Sequence, residues 1–112
     1  MGDFNARMGQ FMNTNVSLKY SLHYSDNPDL VVNNHGKTLR ELAEDNNLVF
    51  VNHLISNRLE AEGGYTYRQG VRWISQLDWA LCSPNALDYI CNFRIDQNSK
   101  MKSNHAPIKL EL

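Results

Sequence analysis

Three short stretches carry residue types that could do chemistry together: Gly2-Asp3-Phe4-Asn5, Leu77-Asp78-Trp79 and Ser103-Asn104-His105-Ala106-Pro107. Carboxylates, amides and an imidazole can between them hold a cation, orient water and move a proton. Each stretch also has a purely structural reading. Asp and Asn in a turn commonly hydrogen-bond their own backbone. Asp78 says more, because a carboxylate embedded in an apolar run costs free energy unless it is paired. His105, just ahead of a terminal strand, is the candidate partner, and such a pair serves either as a catalytic orienter or as a structural tie.

The elements that must position these groups are short. Gly2 to Asn5 reads as the end of a strand turning into a loop. Residues 10–32 are polar and poorly periodic, with extended pieces at Ser17 to Tyr24 and Asp29 to Val32 around an Asn27-Pro28 turn. Thr38 to Asn46 is the clearest helix, with Leu39, Leu42 and Ala43 on its apolar face. Leu48 to Asn52 is a buried strand, Glu62-Gly63-Gly64 a turn, and Tyr65 to Tyr67 a strand. Trp73 to Cys82 reads as one strand, with Leu77, Trp79 and Leu81 on one face and Asp78, Ala80 and Cys82 on the other. Ala86 to Ile95 is a helical turn followed by a strand. Pro107 to Leu112 alternates apolar Ile108, Leu110 and Leu112 with Lys109 and Glu111, the pattern of a half-buried terminal strand. Short strands joined by turns, with one good helix, predict an α+β fold with mainly antiparallel pairing.

Composition narrows the function classes. The chain has 112 residues, 42% of them hydrophobic, and 11 basic against 12 acidic side chains, for a net charge of −1. That is globular rather than disordered composition, and it carries no overall basic footprint for nucleic acid, although a local patch would suffice. No apolar run approaches the roughly 20 residues of a membrane span, and no signal-peptide core opens the chain. A soluble, intracellular protein without a membrane partner is expected. Cys82 and Cys91 lie outside any zinc spacing and read as two buried thiols in a reducing compartment. His23, His35 and His53 share no metal-ligand spacing and read as surface or capping residues. Lys100, Lys102 and Lys109 flank His105, where they could touch phosphates or simply be solvated.

Taken together, the three motifs resemble the endonuclease/exonuclease/phosphatase superfamily, whose fold is deoxyribonuclease-I-like. Gly2-Asp3-Phe4-Asn5 is similar to its GDFN signature. Leu77-Asp78-Trp79 falls where the family has an Ile/Leu-Asp-Tyr strand, and Ser103 to Pro107 resembles its terminal Ser-Asp-His-x-Pro. Asn34, Gly36, Leu39, Leu42, Leu48, Asn52, Thr66 and Leu81-Cys82-Ser83-Pro84 resemble the branch found in non-LTR retrotransposons. Order and spacing hold along the whole chain, which corresponds to the C-terminal half of a family domain. The family's N-terminal half, with its principal metal carboxylate, lies outside it.

The resemblance implies half of an α/β sandwich and Mg²⁺- or Mn²⁺-dependent hydrolysis of DNA phosphodiesters, with a nuclear location if the chain is retroelement-derived. It implies that Asp3 orients or deprotonates the attacking water and that Asn5 donates to the phosphate. His105, held by Asp78, contacts the phosphate or transfers a proton. It implies a metal at Asp3 and Asn104, and substrate contacts from Asn5, Thr66 and Trp79. Two departures stand out. Asn104 replaces the family's Asp, which removes a negative charge and should weaken Mg²⁺ binding. Trp79 replaces Tyr, keeping an aromatic wall without the hydroxyl. The expectation is a nuclease by descent with no meaningful activity as an isolated chain. Alternatives are a non-catalytic module whose exposed sheet face is covered by a partner or a second copy, and a branch of the superfamily that acts on phosphoinositides or sphingomyelin.

Overall fold

The computed structural model describes residues 1–10, 22–56, 59–98 and 103–112. The expected extended piece before Leu22, and Lys100 and Lys102, lie outside the described residues. In chain order the strands are β1 (Gly2–Asp3), β2 (His23–Tyr24), β3 (Val49–Phe50), β4 (Leu54–Ile55), β5 (Tyr67–Gln69), β6 (Arg72–Ser75), β7 (Asp78–Trp79), β8 (Leu81–Cys82), β9 (Asn92–Ile95) and β10 (Ile108–Glu111). Helix α1 (Asn34–Asp45) lies between β2 and β3, and a 3-10 helix (Pro84–Tyr89) between β8 and β9. The named strands pair two by two, β1 with β7, β2 with β4, β3 with β8, β5 with β6 and β9 with β10, each antiparallel. This is the α+β class that the sequence predicts. Among the described residues, no helix is long and apolar enough to cross a membrane.

Helix α1 begins four residues before the Thr38 that periodicity alone predicts. Asn33 is the cause: its Oδ1 accepts from the Gly36 amide at 2.7 Å, satisfying one of the free N–H groups of the first turn. Gly36 then packs so tightly on the first loop that a Cβ there would lie 2.0 Å from the Arg7 carbonyl oxygen. Gly36, Leu39 and Ala43 form the buried stripe. Leu42, expected with them, is 51% exposed, since it sits one residue (~100°) around the helix from Ala43. Asn33 also ties the site loop down, its Oδ1 accepting from Arg7 N at 3.0 Å and its Nδ2 donating to Asn5 O at 3.0 Å. Asn33→Ala removes all three bonds and should cost about 1–2 kcal/mol of stability in a urea titration. A loss within a few tenths of a kcal/mol would show that the cap contributes nothing to this fold.

The single strand expected from Trp73 to Cys82 is in fact three, because side chains take the places of backbone partners. Thr66 Oγ1 accepts from both Leu77 N (2.9 Å) and Asp78 N (3.1 Å). Asn52 accepts from Ala80 N through Oδ1 (2.9 Å) and donates to Asp78 O through Nδ2 (3.0 Å). The alternation of faces survives the breaks. Trp79 and Leu81 pack with Ala6, Met8, Leu39, Ala43 and Phe50 on the α1 side. Ala80 and Cys82 pack on the other side with Val49, Val51, Leu54 and Phe93. Ile95, Ile108 and Leu110 pack against this second cluster while Lys109 points out, as the terminal alternation predicts.

The strand expected at Tyr65 to Tyr67 starts only at Tyr67. Asp29 to Val32 is not a strand either; it makes a lone bridge, Met8 to Val32. Cys91 is exposed rather than buried, and Cys82 is half-buried. Burial pushes the Cys82 thiol up to about 11, which keeps it protonated and unreactive.

A candidate metal and catalytic centre

The β1–β7 pairing sets Asp3 directly opposite Asp78. Residues in register on paired strands present their side chains to the same face, and two like charges so placed repel. What lies between them is His105. It is delivered by a bridge to Tyr67 and by Ala106 N donating to Thr66 O at 2.7 Å. Its Nδ1 lies 2.8 Å from Asp78 Oδ2, and its Nε2 lies 3.6 Å from Asp3 Oδ2. The first contact is a hydrogen bond and the second is not. An ionised carboxylate only accepts, so the 2.8 Å contact places a proton on Nδ1, and in the neutral imidazole Nε2 is then the acceptor facing Asp3. Side-chain exposure rises from 11% at Asp78 through 31% at His105 to 41% at Asp3. The orienting carboxylate is therefore sheltered and the other faces solvent.

The shell behind these groups explains their placement. Thr66 fixes the backbone on both sides of the Leu77–Asp78 peptide, as described above. The Tyr67 ring packs on the imidazole, with centroids 5.2 Å apart. Trp79 Nε1 donates to Ala6 O at 2.8 Å and so pins the loop that follows Asp3. Asn5 sits in that loop in the left-handed region (φ 51), exposed, with its backbone N–H donating to Asp3 Oδ1 at 2.9 Å. That turn fixes one Asp3 oxygen and leaves Oδ2 facing His105.

Two of the expected substrate contacts lie behind the site. Thr66 and Trp79 are both 0% exposed, with Thr66 Oγ1 and Trp79 Nε1 bonded to backbone. Asn104 is exposed and gives its carbonyl to Arg68 N at 2.9 Å. Its neutral amide adds no charge to the cluster. The carboxylate that joins Asp3 is instead Asp78: one ligand atom each from Asp3, Asp78 and His105 lie within 4.8 Å of one another. Two carboxylates and one nitrogen make an oxygen-rich donor set. Because Asp78 Oδ2 and His105 Nδ1 engage each other, a divalent cation held by this group would keep several of its own waters.

No family model matches the chain, and no curated protein and no solved structure matches it. The three motifs and their geometry carry the functional reading.

One functional layer is not evident from the motifs. Asp29, with a side chain only 2% exposed, accepts from Arg7 Nη2 at 2.7 Å, Arg7 Nε at 3.0 Å and Gln76 N at 3.0 Å. The hydrogen bonds to Asp29 raise the Arg7 pKa above its ordinary value. Gln76 Oε1 accepts from Gly64 N and Asn52 Nδ2, while its Nε2 donates to Asn27 Oδ1 and approaches His53 Nε2 at 2.6 Å. A polar Gln inside the Trp73 to Cys82 run was the available signal. Two residues before Asp78, this network anchors the strand that carries it.

His53, expected to be a surface or capping residue, is 1% exposed. It is enclosed because Gly63 packs flat on its ring, leaving no room for a Cβ, which would lie 2.0 Å from Nδ1. Burial lowers its pKa to about 4, although Gln76 and the charge of Asp26 act the other way. The unfolded chain takes up a proton at His53 near pH 6.5, and the folded chain does so only near 4. Stability from this group is complete above about pH 6.5 and is lost as pH falls toward about 4, by roughly 2–3 kcal/mol. Urea titrations at pH 7 and 4.5 on the native chain and His53→Gln check this. The variant should lose less between the two pH values, and an identical loss would remove His53 from the acid response.

Proposed function

We propose that Asp3, Asp78 and His105 form the centre of a divalent-metal-dependent phosphodiester hydrolase of the DNA endonuclease type, working poorly in this chain by itself. The observation that carries the reading is the Asp78–His105 hydrogen bond at 2.8 Å with Asp3 facing the free Nε2 at 3.6 Å. That gap suits a water hydrogen-bonded to both groups. In hydrolysis the water oxygen forms the new P–O bond, its proton passes to Nε2 or to Asp3, and the opposite P–O bond breaks to release an alkoxide that is then protonated. Asp78 keeps the imidazole in the required tautomer and stabilises it once protonated. The exposed Asn5 amide, in the loop beside Asp3, is the donor for a non-bridging phosphate oxygen. A bound Mg²⁺ or Mn²⁺ would polarise the phosphoryl group and offset its charge.

Low activity follows from the same residues. Asp3 is the open carboxylate of the group, Asp78 is engaged by His105, and Asn104 is neutral where the resembled motif has an anion. Each general acid–base group contributes about 10²- to 10⁴-fold, and a weakly held cation forfeits much of the electrostatic gain. Plasmid nicking at millimolar Mg²⁺ or Mn²⁺ should therefore stay close to background. Rapid nicking that Asp3→Ala and His105→Ala both abolish would show a complete site instead. The positive test is calorimetric titration with Mn²⁺, in which Asp3→Ala should weaken binding about tenfold or more. Equal affinity in both proteins would overturn the proposal.

A further inference from the structure

The hairpin that delivers His105 carries a second group of interest. Strands β5 and β6 pair with a register shift between Tyr67 and Arg68. Neighbouring residues of a regular strand point to opposite faces, and a bulge re-aims one of them. Here Tyr67 packs on the His105 ring, while Arg68 lines a shallow cleft together with Trp73, Asp96, Ser103 and His105. The guanidinium lies over the Trp73 ring, 5.5 Å from its centroid, within the range of a cation–π contact.

Charge in the cleft is unevenly committed. Asp96 Oδ2 pairs with Lys109 Nζ at 3.2 Å, and its Oδ1 accepts from Asn98 N. Ser103 Oγ accepts from His105 N at 3.1 Å. Among the described residues that line the cleft, Arg68 is the only Lys or Arg, and its guanidinium makes no ion pair with another described residue. The free space is about 10 Å³, room for a water or one phosphate oxygen and far too little for a base. It is a point of contact for a backbone.

We infer that Arg68, seated over the Trp73 ring, grips a backbone phosphate of nucleic acid beside the His105 centre, as a substrate-positioning residue. The inference rests on the phosphodiester reading of that centre. It also supplies what the composition lacks: a chain of net charge −1 needs a local cation to admit a polyanion next to Asp3 and Asp78.

The test is fluorescence anisotropy of a labelled 20-base-pair DNA duplex, titrated with the full chain at several salt concentrations. Arg68→Ala should raise Kd about five- to tenfold and reduce the slope of log K against log salt by about one. Arg68→Lys should keep the slope and recover only part of the affinity, because a lysine keeps the charge but not the planar guanidinium. Trp73→Phe should bind like the native chain, and Trp73→Ala should fall between. An unchanged Kd and slope in Arg68→Ala would overturn the inference. So would equal, Arg68-dependent binding to anionic phospholipid vesicles, since the contact would then not be selective for nucleic acid. The two proposals fail separately. Arg68→Ala should leave Mn²⁺ affinity intact, and Asp3→Ala should leave the Arg68-dependent salt slope intact.

Discussion

Trp79→Ala should cost about 3–5 kcal/mol, the largest loss from any single truncation of the core. The indole is 0% exposed and meets Phe50 edge to face, with centroids 5.8 Å apart and planes at 72°. It is the hub of the cluster under α1. Truncation opens a cavity in that cluster and leaves the Ala6 carbonyl, which accepts from Nε1 at 2.8 Å, without its buried donor. The second effect adds roughly 1–3 kcal/mol wherever water cannot replace the donor. Native stabilities of small domains are about 5–15 kcal/mol, so the variant should sit near the edge of folding. Trp79→Phe keeps most of the volume and isolates the hydrogen bond, at about 1–2 kcal/mol. A chemical-denaturation loss below 1 kcal/mol for the alanine variant would mean that the indole is not packed as described.

Asp29→Ala should have the next largest effect, about 3 kcal/mol. Removing one partner of a buried pair typically costs about 3–5 kcal/mol. The lower end applies because the Arg7 side chain is 29% exposed and can hydrate once abandoned. The buried Gln76 N–H, which donates to Asp29 at 3.0 Å, has no such recourse. Since Gln76 leads directly into Asp78, the variant should also loosen the centre: Mn²⁺ affinity should fall although Asp29 is no ligand. Retained affinity at full stability would show that the network and the centre are independent.

Much of this architecture is legible in the sequence, and the failures share one cause. Local periodicity finds α1 though not its start, the terminal strand, and the two faces of residues 79–82, because each is a short-range pattern acting on one element. The Asp78–His105 pair is foreseeable because a carboxylate in an apolar run demands a partner. By contrast, the breaks in the Trp73 to Cys82 strand depend on Thr66 and Asn52, whose side chains arrive from more than ten residues away. The burial of His53 depends on Gly63 packing over its ring, and the early start of α1 on a cap that also binds Arg7. Thr66 and Trp79 carry chemistry-capable groups, yet those groups are used up in holding the backbone. Residue type shows what a side chain can do, whereas its burial decides what it is left free to do.

If Asp3 and Asp78 hold a divalent cation beside His105, paramagnetic NMR shows it most directly. Substoichiometric Mn²⁺ added to the isotope-labelled full chain broadens the nuclei nearest the ion. The expected result is selective loss of the His105 imidazole signals and of the amides of Asp3, Phe4, Leu77 and Asp78, relieved by excess Mg²⁺ and abolished in Asp3→Ala. Broadening centred instead on the exposed imidazoles of His23 and His35 or on the acidic face of α1, with His105 untouched, would contradict it.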